Sequence, residues 1–178
     1  MTILTAAVVL VGVLCLADLL MTFGVIRRLR EQSALLNQSH GLDMPVMELG
    51  TGDIPGSFET VTVIGESLSG PAGIRLAAFF SSTCSICPER VPTFVDYVRA
   101  NGIRREDTIA VILTMADEPV PYADRLGEVA RVCVQQPDAE LAKAFKVTGY
   151  PAFCVLDASG AVQATGYDPA KLPQLAVA

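Results

Sequence analysis

Two cysteines stand two residues apart in FFSSTCSICPERVPTF, residues 79–94, directly after an apolar run. A pair spaced this way can close a disulfide, supply half a metal site, or lie inert in a core. A zinc site needs two further ligands. The other cysteines, Cys15, Cys133 and Cys154, stand singly, and the only histidine, His40, lies in a stretch rich in Gly, Asp and Pro. The donor set is too small for zinc or for a copper carrier that adds a histidine, so no metal is expected. Inert burial fits the position poorly, because the pair stands where a strand signal gives way to a helix signal. That is the context of a dithiol redox motif. Free amides and the positive end of a helix dipole there favour a thiolate, lowering the thiol below its free value of about 8.5. Cys84 is therefore the expected nucleophile. Cys87, one turn further along, is the expected resolving thiol.

The elements that must hold this pair alternate along the chain. FETVTVIGESLSG alternates around a glycine turn and predicts a hairpin. IRLAAFF and TIAVILTM are continuous apolar runs, as expected of strands buried on both faces. Between them CSICPERVPTFVDYVRAN places Val91, Phe94, Val95 and Val98 at helical spacing, with Asn101-Gly102 as a stop signal. Pro92 falls inside that helix, where a missing N–H should kink it. PYADRLGEVA predicts a helix, RVCVQ a short strand, PDAELAKAF a helix, and PAFCVLDASGAVQATGY a hairpin turning at Ser159-Gly160. The order β-hairpin, β-α-β-α-β-α-β-β implies an α/β fold with one central sheet and helices on both faces.

A second proline, Pro151, stands in VTGYPAF between the last helix and the penultimate strand. With FFSSTCSICPERVP and the VLDASGAV hairpin, it makes residues 55–168 resemble the thioredoxin superfamily, particularly membrane-anchored TlpA-like thiol–disulfide oxidoreductases. The chain is also similar to accessory redox proteins of methylamine utilisation. The resemblance implies a thioredoxin-like fold with a central mixed β-sheet flanked by helices. It implies that Pro151 is cis and packs against the cysteines, with the Tyr150 backbone pairing with an extended substrate. It also implies a protein disulfide or dithiol as substrate, an upstream redox partner that can itself sit in the membrane, and no dissociable cofactor.

The chain departs from that pattern at several positions. The buried aspartate six residues before the first cysteine is Ala78, and the tryptophan before that cysteine is Thr83. The glutamate three residues after the second cysteine is Arg90, with Glu89 beside it. Arg90 and Glu89 are thus the candidates for tuning the thiols. Pro88 removes the bond that residue 88 would give to the Cys84 carbonyl, which should loosen the first turn. The segment after the last hairpin looks short for the closing helix of the family.

Residues 3–26 are almost unbroken apolar, interrupted by Asp18 and followed by Arg27, Arg28 and Arg30. About twenty apolar residues cross a bilayer as a helix, so 1–26 is expected as a transmembrane anchor. No basic segment precedes it and no A-x-A site closes it, as a cleaved signal peptide would require. Residues 27–54 predict a juxtamembrane helix and linker, and 55–178 the redox domain. The chain carries 19 acids and 13 bases, a formal charge of −6, without a basic stripe. Nucleic acid is not an expected partner. Two arguments on topology conflict. The three arginines after the anchor favour a cytoplasmic C-terminus, whereas protein disulfides persist outside the cytoplasm. The extracytoplasmic side is favoured here on the second argument.

These readings converge on a thiol–disulfide oxidoreductase. No cation separates the cysteines at Ser85-Ile86, which favours a reductase over a strong oxidant. A peroxiredoxin would show P-x-x-x-T-x-x-C, which AFFSSTC lacks. A non-catalytic docking or chaperone module on the same fold would not need the intact pair.

Overall fold

The computed structural model describes residues 12, 15, 46–115, 120 and 122–175. The expected anchor and juxtamembrane helix lie outside the described residues, except that Gly12 and Cys15 are helical. Among the described residues no helix is long and apolar enough to cross a membrane. The chain divides into units Met1–Met44 and Pro45–Ala178, and the second holds all the elements that follow.

In that unit β1 (Phe58–Val61) and β2 (Ser67–Gly70) form an antiparallel hairpin. The central sheet is built from β3 (Leu76–Ser81), β4 (Thr108–Leu113), β5 (Arg131–Gln135), β6 (Ala152–Leu156) and β7 (Val162–Gly166). Its order is β5-β4-β3-β6-β7. β3 runs parallel to β4 and β4 to β5, whereas β6 and β7 are antiparallel to their neighbours, so the sheet is mixed. The helices are α1 (Cys87–Ala100), α2 (Ala123–Gly127) and α3 (Glu140–Ala144). The predicted element order is met. The second predicted helix shrinks to five residues, with Tyr122 at positive φ before it.

Strand periodicity divides the core between two faces. Leu76, Ala78 and Phe80 of β3 face α1 with Ile112, Phe153 and Val155. Ala77 and Phe79 face the other way with Val111, Cys133 and Cys154, beneath Leu141 and Ala142 of α3. β3 and β4 are buried along their whole length, as two-faced burial demands. The free edge of β5 is partly covered, since the Val63 amide donates to the Val132 carbonyl at 2.9 Å. Covering an edge in this way removes unpaired main-chain groups from solvent.

Two expectations are corrected. Met47 and Leu49, inside the stretch read as linker, are only 2% and 4% exposed and belong to the core. The globular unit thus begins near residue 45 rather than 55. After β7 the chain forms only a 3-10 turn, Pro169–Lys171, in line with the short closing segment read from the sequence. The tail then packs extended on α1. The Tyr97 hydroxyl donates to the Pro173 carbonyl at 2.5 Å, and the Leu175 amide donates to Asn101 Oδ1 at 2.7 Å. Finally, α1 starts at Cys87, so Cys84 precedes the helix by three residues.

Candidate active site

The sheet delivers the pair to its site through Ser81, the last residue of β3. The Ser81 carbonyl accepts from the Cys84 amide at 3.2 Å, its hydroxyl accepts from the Thr83 amide at 3.3 Å, and the Ser82 amide donates to the Leu113 carbonyl at 3.0 Å. This knits the turn between β3 and α1. The Cys84 carbonyl accepts from the Cys87 amide at 3.4 Å, and the Ile86 carbonyl accepts from Glu89 at 3.2 Å. Two of the first-turn donors expected to face a thiolate are therefore engaged within the turn. Ser85 and Ile86, between the cysteines, donate to no main-chain group among the described residues.

Pro88 is also corrected by this geometry. It occupies the first turn of α1, where no intrahelical donor is required and a fixed φ is an advantage. It starts the helix rather than loosening it. Pro92 lies within a helix that runs unbroken to Ala100.

Cys84 and Cys87 form a disulfide with Cα atoms 5.5 Å apart. The two sulfurs differ in surroundings. Cys87 is fully buried at 0% exposure on the face of α1 that carries Val91, Phe94, Val95 and Val98. Behind it Phe80, Phe94 and Phe153 form a mutual cluster with centroids 5.7–5.8 Å apart. Cys84 is half-buried. Its Sγ lies 3.6 Å from the Tyr150 carbonyl oxygen, which accepts from its S–H when the pair is reduced. The Tyr150–Pro151 peptide is cis, Pro151 is buried and Tyr150 is half-buried. Burial pushes the Tyr150 phenol up from its usual value. Four of the expected residues, Cys84, Cys87, Tyr150 and Pro151, thus come from distant parts of the chain to one place.

The two tuning candidates are placed otherwise. Glu89 is exposed. Arg90 turns to Asp168, with Nη1 3.4 Å from Oδ1, and its buried Nε makes no hydrogen bond. Asp168 was missed in the sequence because it stands 78 positions away beyond β7. Ala78 is buried among apolar neighbours, so no carboxylate stands at that position beneath Cys87. Cys133 and Cys154 are buried free thiols, pushed up by burial to about 11 and about 12. They lie on β5 and β6, with β4 and β3 between, a separation of about 14 Å that no disulfide can span. Among the described residues no group of acids, cysteines or histidines could hold a metal ion.

No family model matches the chain, and no curated protein matches it. Solved structures do. The thioredoxin domain of a thiol-disulfide oxidoreductase from Bacteroides vulgatus superposes with a TM-score of 0.51 at 17% identity, over 66% of this chain and 89% of that one. A thiol:disulfide interchange protein from Bacteroides sp. gives 0.51 at 17% identity, over 70% and 87%. A thio-disulfide isomerase from Thermus thermophilus gives 0.50 at 17% identity, over 67% and 87%. Identities this low carry the fold alone. The chain is a thioredoxin-fold protein, with a C-x-x-C disulfide at the head of its first long helix and a cis-proline loop against it.

Proposed function

We propose that this protein is a membrane-anchored thiol–disulfide oxidoreductase that reduces disulfides of protein partners on the extracytoplasmic side. The observation that carries the reading is the inequality of the two sulfurs, one half-buried beside a main-chain carbonyl and the other at 0% exposure. Only the accessible sulfur can meet a macromolecule. In the reduced pair the Cys84 thiolate attacks one sulfur of the partner's disulfide, forming a mixed disulfide and expelling the partner's other sulfur as thiolate. Cys87 then loses its proton and attacks the Cys84 sulfur. The partner leaves with both thiols reduced, and Cys84–Cys87 is left oxidised by two electrons, to be reset by an upstream redox partner. The Tyr150 backbone supports the reading, because its amide donates to no main-chain group among the described residues and can pair with an extended segment.

The test is trapping in cells. Cys87→Ser keeps the attacking thiol and removes its escape, so mixed disulfides should accumulate as higher-mass bands that vanish on reduction. Cys84→Ser should trap little, since the remaining thiol is buried. Equal trapping by both variants reverses or dissolves the roles. No trapping by either, with a pair that never oxidises, leaves a docking module.

A further inference from the structure

Residues 46–49 lie against the loop that carries Tyr150 and Pro151. The Val46 carbonyl accepts from two consecutive amides, Thr148 at 2.9 Å and Gly149 at 3.3 Å, and the Glu48 amide donates to the Lys146 carbonyl at 2.9 Å. Met47 and Val147 face each other as an isolated antiparallel bridge. Met47 and Leu49 are buried, so this segment is itself fixed by the core. A Cβ built on Gly149 would stand 3.6 Å from Val46 Cγ1, so the isopropyl group lies over the side of Gly149 that lacks a side chain.

The other end of the loop is also tied. α3 closes with the Val147 amide donating to the Ala142 carbonyl and the Lys146 amide to Lys143, the paired bonds of a Schellman motif. Peptide planarity leaves only the φ and ψ of Gly149 and Tyr150 between the Val46 clamp and the Tyr150 carbonyl. Glycine is the residue with the most freedom there. Holding its amide and covering it removes that freedom one residue before the carbonyl that meets the Cys84 sulfur.

We propose that Val46 is a positioning residue of the redox site, whose carbonyl and side chain, both on the Thr148-Gly149 segment, aim the Tyr150 main chain at the Cys84 sulfur. The proposal rests on the dithiol-exchange reading above. A fixed carbonyl accepts from the Cys84 S–H and opposes its thiolate, so it delays ionisation. It also presents an ordered main-chain edge to the partner, and an edge that must first be ordered binds more weakly. A side-chain change cannot delete the Val46 carbonyl, so the variant must loosen it. Val46→Gly removes the isopropyl group and frees the backbone, Val46→Ala removes only the branch, and Val46→Ile keeps it.

The experiment uses full-length chains, with thermal unfolding to confirm folding. The reduced proteins are titrated for Cys84 alkylation against pH, and kcat and KM are measured with an oxidised protein substrate. Glu89, Arg90 and Asp168, the charged groups about the head of α1, are the same in every variant. Val46→Gly should move the alkylation midpoint to lower pH by about half a unit and raise KM about threefold or more with kcat within about twofold. Val46→Ile should match wild type in both. Unmoved midpoint and KM in a folded Val46→Gly protein overturn the proposal, and if that variant fails to fold, the same two readouts on Val46→Ala decide. A wild-type protein that exchanges no disulfide sinks the proposed function instead, while the alkylation profiles still judge Val46.

Discussion

Cys133 and Cys154 carry the same thiol as Cys84, yet burial holds them protonated, with values pushed up to about 11 and about 12. At pH 8 the folded, reduced protein should therefore be alkylated at Cys84, while Cys133 and Cys154 react only after unfolding; mass spectrometry of labelled peptides checks this. The same shifts have a stability consequence. Their folded values lie above the unfolded value of 9.0, so from about pH 9 upward the unfolded chain holds fewer protons than the folded one, and stability falls as pH rises. Replacing both thiols by alanine should flatten that decline between pH 8 and 10.5, measured as the change in denaturant midpoint, whatever the variant's stability at pH 8. At Arg90 the expected cationic influence on Cys87 is countered by Asp168. Arg90→Ala should raise the pH midpoint of Cys87 alkylation and Asp168→Asn should lower it, each by less than about one unit. Unmoved curves in both remove this ion pair from the chemistry. The cysteine pair and Pro151 were legible because spacing and local context carry them. Asp168 and Val46 were not, since each acts through contacts made across a long stretch of chain.

At the scale of elements, strands and the long helix announced themselves through apolar periodicity, and the buried runs of β3 and β4 are the clearest cases. The ends of elements were less legible. Helical spacing extends back toward Cys84, but α1 starts at Cys87, where Pro88 supplies the first-turn φ and the preceding turn is set by Ser81. The segment 46–54 carries two glycines and an aspartate between Pro45 and Pro55 and so reads as loop, yet Met47 and Leu49 within it are core. A burial pattern that short does not stand out in a sequence. The end of α3 is a further instance, because Lys146 adopts φ 47° with no glycine to mark it. A side chain there costs about 1–2 kcal/mol, and glycine returns about half of that as lost unfolded-state freedom. Lys146→Gly should therefore stabilise the folded chain by about 0.5–1 kcal/mol, seen as a higher denaturant midpoint with an unchanged slope. Behind the cysteines the aromatic cluster sets the opposite expectation. Phe153→Ala opens the space between Phe80 and Phe94 and should cost about 3–5 kcal/mol.

For the whole molecule, the proposed anchoring would require residues outside those described to put the sheet and its cysteines on one side of a membrane. The apolar stretch 3–26 is long enough to span. Asp18 within it costs about 2.5–3.5 kcal/mol if charged at the centre, a sum that the remaining apolar residues can outweigh. The direction of insertion is set against the chemistry. Arg27, Arg28 and Arg30 pull the following segment toward the cytoplasm, where glutathione and thioredoxin keep protein thiols reduced and a further reductase has few disulfides to act on. The acidic domain offers little to resist export, because long domains cross largely regardless of charge. If the site reduces disulfides as proposed, it is most useful where disulfides persist, and the C-terminal domain is then expected outside. A phosphatase fused after Ala178, active only once exported, should be active in cells, and a fluorescent protein that fails to mature outside should be dark. The reverse pair of results would place the dithiol in the cytoplasm and make its substrates transient, catalytic disulfides instead of structural ones. In either case the Cys87→Ser trap identifies the partners, and their compartment must agree with the fusion result.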